Sequence, residues 1–302
     1  MNKMEQKNDV VKVESMPPTG IQVVIREFRK DKLALFSFIG ITLLIIVILI
    51  MSAFMNQDEI LRIKLLERFT EPGVNGYILG ADEAGRDMYG QLIIGAKNSI
   101  LIAVAITLIA NALGIALGII MGYYGGFIDN LFMRIIDFLM TLPTLMIIIV
   151  LVTIIPKYGV FELILILSAF QWIGTARLVR SKALSEGRRD YVSASKTMGT
   201  SDFAIMFKGI LPNLSSLLIV ELTLNFAGNV GIETGLSFLG FGLPPSTPSL
   251  GTLVSYATNP IVLSSKWWIW LPASLLILVL MLGINYVGQA LRRAADAKQR
   301  LG

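Results

Sequence analysis

Long apolar runs constrain this chain more than any other feature of its sequence. A bilayer core about 30 Å thick needs roughly 20 mostly apolar helical residues to cross it. Because 54% of the residues are hydrophobic and only 16% are charged, against roughly a quarter charged in an ordinary soluble domain, lipid is the solvent for most of the chain. The predicted spans are 33–54, 99–122, 138–155, 160–173, 214–230 and 267–287.

Basic residues indicate which ends of the spans face the cytoplasm. Lysine and arginine are concentrated in residues 1–32, in the connection 177–213 and in the tail from residue 290, whereas acidic residues offset the basic ones in 56–97. Cytoplasmic segments of membrane proteins carry an excess of Lys and Arg. The sequence therefore predicts that both termini are cytoplasmic, and this topology accounts for the net charge of +5 without a nucleic-acid partner.

The predicted fold is all-α, a polytopic membrane protein with about six transmembrane helices. The first apolar run is too long for a signal peptide and has no convincing cleavage site after it, so an uncleaved anchor is expected. The chain divides into a partly disordered cytoplasmic N-terminal segment (1–32), a first transmembrane helix (33–55), an external loop (56–97), a five-helix core (98–289) with a cytoplasmic loop at 180–213, and a cytoplasmic tail (290–302).

The residue inventory argues against an enzyme. The chain has no cysteine and no histidine, which removes the commonest general acid or base and the commonest metal ligands. No GxxxxGK[ST] phosphate-binding loop occurs either. We therefore expect no catalytic, cofactor or metal site in this chain, and energy for any transport must come from elsewhere.

Polar and small residues stand out within the predicted spans. Small residues occur at four-residue spacing in the second span (Ala110, Gly114, Gly118, Gly122), which predicts a seam where a neighbouring helix approaches closely. Carboxylates in or near the spans need a reason to be there. Glu221 and Glu233 are candidates for pore lining or for hydrogen bonds between helices. Asp137, a further candidate, lies one helical turn from Arg134 and is expected to pair with it.

The connection 177–213 is the most informative segment. Its pattern predicts a helix, a glycine turn at Gly199 and a second helix capped by Ser201 or Asp202, which Pro212 should stop. Basic, amphipathic helices of this kind can dock on anionic lipid or on a protein partner, and the periodicity leaves both open. The predicted apolar stripes are Tyr191, Ala194, Ser195 and Met198 on the first helix, and Phe203, Met206, Phe207 and Ile210 on the second.

The segment DYVSASKTMGTSDFAIMFKGILPN (190–213) resembles the "EAA" loop of binding-protein-dependent ABC importer permeases. The glycine and the Leu-Pro pair stand where that family has them, although Ser193, Ser195 and Gly209 replace the family's usual Glu, Ala and His. In that family the first helix of the loop couples the membrane subunit to an ATPase. The resemblance implies a coupling site formed by Arg188, Arg189, Tyr191, Val192, Ala194, Met198, Gly199 and Pro212.

Further stretches narrow the resemblance to the C-type subunit of the peptide/nickel permeases. ILGADEAGRDMYGQLIIGAKNSI (78–100) is similar to the segment before that subunit's second span, ETGLSFLGFGLPPSTPSLG (233–251) to its LSFLGLG stretch, and 285–298 more loosely to its tail. The external motif comprises Gly80, Asp82, Gly85, Arg86 and Asp87. Its charges could pair with each other in a capped turn or face a soluble partner.

The resemblance implies a type I ABC importer permease of a prokaryotic cytoplasmic membrane that carries oligo- or dipeptides. The implied partners are a second, B-type permease, two ATPase subunits that bind ATP and Mg, an extracytoplasmic substrate-binding protein and membrane lipid. The same architecture importing nickel or another small solute is an alternative. Alternatives of other classes are an ion-driven secondary transporter using Asp137, Glu221 or Glu233, and a membrane scaffold without transport.

Overall fold

The computed structural model describes residues 21–156 and 158–301; the predicted disorder of residues 1–20 lies outside them. Within these two ranges the chain is helical and has no β-strand, which confirms the all-α prediction. Its helices are α1 (Ile21–Lys30), α2 (Lys32–Ala53), α3 (Gln57–Ile60), α4 (Met88–Tyr124), α5 (Gly126–Thr141), α6 (Thr144–Ile154), α7 (Val160–Glu186), α8 (Asp190–Thr197), α9 (Asp202–Ala204), α10 (Leu211–Phe238), α11 (Leu250–Ser255), α12 (Pro260–Ser265) and α13 (Trp267–Leu301).

Five helical segments are long and apolar enough to cross a membrane: α2, α4, α7, the continuous segment Asp202–Phe238, and Trp267–Ala295. The third predicted span, 138–155, carries Pro143 near its start, and the helix is broken there. Residues 138–141 end α5, and α6 leaves it at an angle of 80°. The residue before a proline avoids the helical region, and Leu142, before Pro143, is extended with ψ 141°. Counting the bent pair as one span gives six.

Glycines join α4 to α7 along the predicted seam. A Cβ atom at Gly114 would lie 2.7 Å from Trp172 O, one at Gly118 2.7 Å from Ala176 O, and one at Gly122 2.7 Å from Arg180 O. The two backbones therefore touch over about two helical turns. This confirms the packing seam, because any side chain at these positions would separate the helices.

We call the two ends of the helix bundle the loop end and the α8 end. At the loop end, residues 55–87 and 239–266 fold over the helices, and Trp268 Nε1–H donates to Ala81 O at 3.3 Å. At the α8 end, Arg180 of α7 forms an ion pair with Asp129 of α5. Assignment of the α8 end to the cytoplasm stays a prediction.

Helix α1 at the α8 end was missed by the sequence analysis. It lies beside α13, where Val24 and Phe28 are buried with Val287. Asp31 separates α1 from α2: its carboxylate accepts from Ala34 N at 3.0 Å and from Arg293 at 2.9 Å. Because a carboxylate that caps a helix is stabilised as an anion, these bonds lower the pKa of Asp31.

We expect Gly118→Val to lower the melting temperature of the protein in mild detergent, because its side chain would meet the α7 backbone. Overpacking of this kind costs about 1–3 kcal/mol. Gly174→Val on α7 is the matched control, since nothing lies within 4 Å of its Cβ position. Equal melting temperatures for the two variants would contradict close α4–α7 packing.

Candidate functional site

Helix α8 is a short, exposed helix between the long helices α7 and α10. It begins at Asp190 and ends at Thr197. Gly199 follows with φ +79°, a conformation that glycine adopts readily and side chains resist. The Ser201 hydroxyl then accepts from Ala204 N at 3.4 Å and caps α9. The predicted helix, glycine turn and capped second helix are confirmed.

Two residues of α8 attach it to α7, to α10 and to residues 205–210 just before α10. Val192 is only 1% exposed and is buried with Ile205 and Ile210. The Tyr191 hydroxyl donates to Glu186 at 3.2 Å and accepts from Asn213 Nδ2 at 3.1 Å. Burial raises the pKa of Tyr191, so its hydroxyl stays neutral and can do both.

A third attachment joins α8 to α4. The Lys196 ammonium lies 4.4 Å from the centre of the Tyr123 ring, and the Tyr123 hydroxyl donates to Asp202 at 2.5 Å. A cation over an aromatic face is attracted by the ring quadrupole. Helix α8 therefore contacts the ends of three long helices, α4, α7 and α10.

The predicted apolar stripe of α8 does not face the bundle. Ala194 is exposed and Met198 is 77% exposed, whereas Val192, which is not in the stripe, is buried. The physical reason is tertiary: the apolar surface formed by Ile205 and Ile210 meets the Val192 side of this short helix. The exposed face of α8 combines apolar residues with neighbouring Arg188 and Arg189, of which Arg189 also bonds Glu186 at 3.1 Å.

Pro212 does not stop the second helix, and that prediction is wrong. A π-type turn, Ile205–Ile210, joins α9 to α10, and Leu211 N–H donates to Met206 O, five residues back. Proline lacks the N–H that an α-helix needs. The wider turn changes the bonding pattern just before Pro212, so the helix continues to Phe238. Of the predicted second stripe, Met206 and Ile210 are buried and Phe203 is exposed.

The external motif forms a capped turn at the loop end. Asp82 is 0% exposed and accepts from Arg86 Nε at 2.8 Å and from Gln91 Nε2 at 3.0 Å. Arg86 in turn donates to the Tyr256 hydroxyl at 2.7 Å and to Pro245 O at 3.2 Å. Burial, together with the Asp82 charge, raises the pKa of Tyr256 to about 12. The pair therefore ties the 56–87 loop to the 239–266 region.

The other motif residues shape the same turn. Asp87 caps α4 by accepting from Tyr89 N at 3.2 Å and Gly90 N at 3.0 Å. Gly80 and Gly85 have positive φ, and a Cβ at Gly85 would lie 1.9 Å from Lys64 O. Positive φ and the close approach of neighbouring backbone explain why glycine occupies both positions. A role in binding a soluble partner stays a prediction.

The three candidate carboxylates occupy different environments. Asp137 pairs with Arg177 of α7 at 3.0 Å, not with Arg134, because the packing of α5 on α7 brings Arg177 to it. Glu233 is buried and accepts from Ser99 Oγ at 2.9 Å and Ser237 Oγ at 3.0 Å. Glu221 is half-buried and faces a cavity.

A polar cluster at the centre of the bundle was largely missed by the sequence analysis. Asn111 Oδ1 accepts from Thr175 Oγ1 and from Asn225 Nδ2, each at 3.0 Å. Beside it, Asn229 accepts from Gln171 Nε2 at 3.0 Å and donates to Thr107 Oγ1 at 2.9 Å. Asn225 interrupts the fifth predicted span visibly, but Asn111 sits inside a strongly apolar run. The sequence signal that could have indicated the cluster is that Asn111 and Asn225 lie at similar depths in their two predicted spans.

Two cavities follow one another along α10. The larger, about 890 Å³, lies at the α8 end and has mixed charges around it: Lys182, Glu186, Arg189, Glu221 and Arg292. The smaller, about 190 Å³, lies at the centre and is lined by Ala110, Asn111, Gln171, Asn225, Gly228, Asn229 and Ile232. We refer to these two cavities, which border α10 from the α8 end to the centre of the bundle, as the polar track.

Comparison with known proteins shows which protein family this chain is similar to. The model of the family "Binding-protein-dependent transport system inner membrane component" matches residues 114–301. The oligopeptide transport system permease protein of Lactococcus lactis subsp. lactis (strain IL1403) is 51% identical over 279 residues, 92% of this chain and 95% of that protein. The dipeptide transport system permease protein of Bacillus subtilis (strain 168) is 34% identical over 300 residues, covering 98% and 92%.

We expect Arg86→Ala to destabilise the loop end strongly, because it leaves the buried Asp82 carboxylate without its cation. Breaking a buried pair in this way costs about 3–5 kcal/mol. Faster limited proteolysis within residues 56–87 would report it. Arg62→Ala, at an exposed position of the same loop, should leave the cleavage rate unchanged. A wild-type rate in Arg86→Ala would show that the pair does not hold the loop.

Proposed function

Because the chain belongs to the family of binding-protein-dependent transport system inner membrane components, we propose that it is one of two permease subunits of a peptide importer. Proteins of this family are the membrane components of ABC importers, and this chain is accordingly a multi-pass protein of the bacterial plasma membrane. Its relatives named as oligopeptide and dipeptide permeases match it over 90% or more of its length. This similarity is the observation on which we propose peptides as the transported substrate.

The proposed assembly follows from the family resemblance. It contains a second, B-type permease, two ATPase subunits that bind ATP and Mg, an extracytoplasmic binding protein and surrounding lipid. The exposed face of α8, with Met198 77% exposed, supports an ATPase contact. The polar track along α10 supports a second permease beside it, since lipid would leave its polar groups without partners.

In the proposed mechanism, movement of the ATPase subunits is transmitted to this chain through α8. When the ATPases close on ATP, they push α8, and the contacts of Tyr191, Val192 and Lys196 pass that displacement to α10, α7 and α4. A partner can shift a two-state element only by binding its states differently. The ATP-bound and free ATPases would supply that difference, and the spans would tilt to open one side at a time. Hydrolysis takes place in the partners.

The loop end is proposed to receive the binding protein. Residues 56–87 are held in one shape by the Asp82–Arg86 pair and by Asp87, so their outer surface is a preorganised platform. Exposed acidic and basic side chains on this loop, among them Glu59 and Arg62, offer rim contacts of the kind that guide association.

A direct test is purification of the chain from its native membrane in mild detergent, followed by identification of the co-purifying proteins and reconstitution in vesicles. We expect a second permease and two ATPases, and ATP-dependent uptake of short peptides when binding protein is added. Recovery of the chain alone, or uptake driven by a proton gradient without ATP, would overturn the proposal.

Replacement of Gly199 by valine should uncouple ATP hydrolysis from uptake. A β-branched residue at φ +79° costs about 1–3 kcal/mol of backbone strain, and nothing lies within 4 Å of the Cβ position, so the effect is conformational. Peptide uptake should fall at least severalfold while the complex still assembles. Gly199→Asn is the matched control, because asparagine tolerates this conformation and should retain uptake. Equal uptake in both variants would count against a lever role for α8.

Charge reversal at Arg188 should weaken the ATPase contact, because its guanidinium is exposed beside α8. In Arg188→Glu we expect less ATPase to co-purify, with a greater loss at high salt, since exposed charges are screened. Arg68→Glu at the loop end is the control and should keep the wild-type amount. Full recovery of ATPase with Arg188→Glu would favour docking of α8 on lipid.

A further inference from the structure

Two amide side chains that line the central cavity have oxygen atoms without a hydrogen-bond donor among the described residues. Gln171 and Asn225 use their amide N–H groups within the cluster, to Asn229 Oδ1 at 3.0 Å and to Asn111 Oδ1 at 3.0 Å. Among the described residues, neither side-chain oxygen of this pair accepts a hydrogen bond, although both residues line the cavity. Carbonyl oxygens without donors are costly in an apolar setting. These two are therefore available to a ligand that brings N–H groups.

The cavity is also open on one side, and the larger cavity lies next to it along α10. Gly228 is exposed and has nothing within 4 Å of its Cβ position, so the α10 backbone borders free space there. One turn before Asn225 on α10, Glu221 accepts only a long bond of 3.5 Å from Asn225 Nδ2. A further acceptor, the Glu221 carboxylate, thus lines the larger cavity one turn away.

We propose that Gln171 and Asn225 form half of a site that binds the main-chain N–H groups of the transported peptide. This rests on the proposed function and names its site in the membrane. A volume of about 190 Å³ is below the usual 300–1,000 Å³ of a complete ligand pocket, so the second permease closes the other side. Every peptide unit except proline carries the same N–H donor. Such a site accepts peptides largely irrespective of their side chains.

The test uses the complete transporter in vesicles, with tetra-alanine and the same peptide methylated on one internal main-chain nitrogen. A site that hydrogen-bonds a substrate N–H discriminates against an analogue that lacks it. The measured quantity is the ratio of uptake of the two peptides. All variants use the same binding protein, so its own discrimination cancels when this ratio is compared between variants.

In Asn225→Leu we expect uptake of tetra-alanine to fall about 10-fold, within the range that loss of one buried hydrogen bond produces. The ratio of tetra-alanine uptake to uptake of the methylated peptide should fall at least threefold. Asn285→Leu is the matched control: Asn285 is also an amide in a span, but it bonds Met281 O of its own helix and lines neither cavity. Its uptake ratio should equal that of the wild type.

An equal loss of uptake for both peptides in Asn225→Leu would overturn the inference and leave the cluster a structural one, as would an unchanged ratio or the same shift in Asn285→Leu. If Asn225→Leu does not assemble, Gln171→Met applies the same test, since Gln171 makes one bond within the cluster. A wild-type transporter that imports neither peptide would instead overturn the proposed function. The two failures are therefore distinguishable.

Discussion

Direct contact between the backbones of α4 and α7 is the constraint on which the rest of the bundle depends. Lipid tails are as apolar as the side chains of the spans, so helices associate through close packing and hydrogen bonds. The seam glycines, Gly114, Gly118 and Gly122, allow this approach. It sets Asn111 opposite Thr175 at hydrogen-bond distance. It also brings the ends of α4 and α7 together where α8 attaches, so one packing contact positions both the central cluster and α8.

Polar side chains inside the bundle divide into two groups by how completely they are bonded. Glu233 accepts from two serine hydroxyls, and one of these, Ser99, also accepts from Leu250 N at 3.0 Å. This carboxylate therefore holds α4, α10 and α11 together at the loop end. Gln171 and Asn225 instead keep oxygen atoms towards a cavity. Because an unsatisfied polar group is costly in lipid, a fully bonded group is explained by the fold, and an open one calls for a ligand or a partner subunit.

The sequence allowed prediction of features that depend on local composition or spacing. These include the apolar spans, the glycine seam, the turn at Gly199 and the paired turn at Asp82. Two of the errors depend on distant neighbours. Val192 is buried because Ile205 and Ile210 lie beside it, and Asp137 meets Arg177 because α5 packs on α7. The continuation past Pro212 depends on a π-type turn that no local pattern signals. The central amides needed the three-dimensional arrangement of three helices to appear as one cluster.

Continuity of the segment Asp202–Phe238 would let the proposed push on α8 reach the other end of the bundle. This segment contacts α8 through Asn213, borders the polar track at its centre, and reaches the buried Glu233 near the loop end. A rigid helix held at its centre moves its two ends in opposite directions. The bonds of Asn225 to Asn111 and Thr175 provide such a central hold. In the proposed mechanism, displacement of α8 would therefore move the loop end of this segment the opposite way, as alternating access requires. The departure from regular α-helix lies at Ile205–Ile210, between α9 and the track, where wide turns commonly mark functional bends.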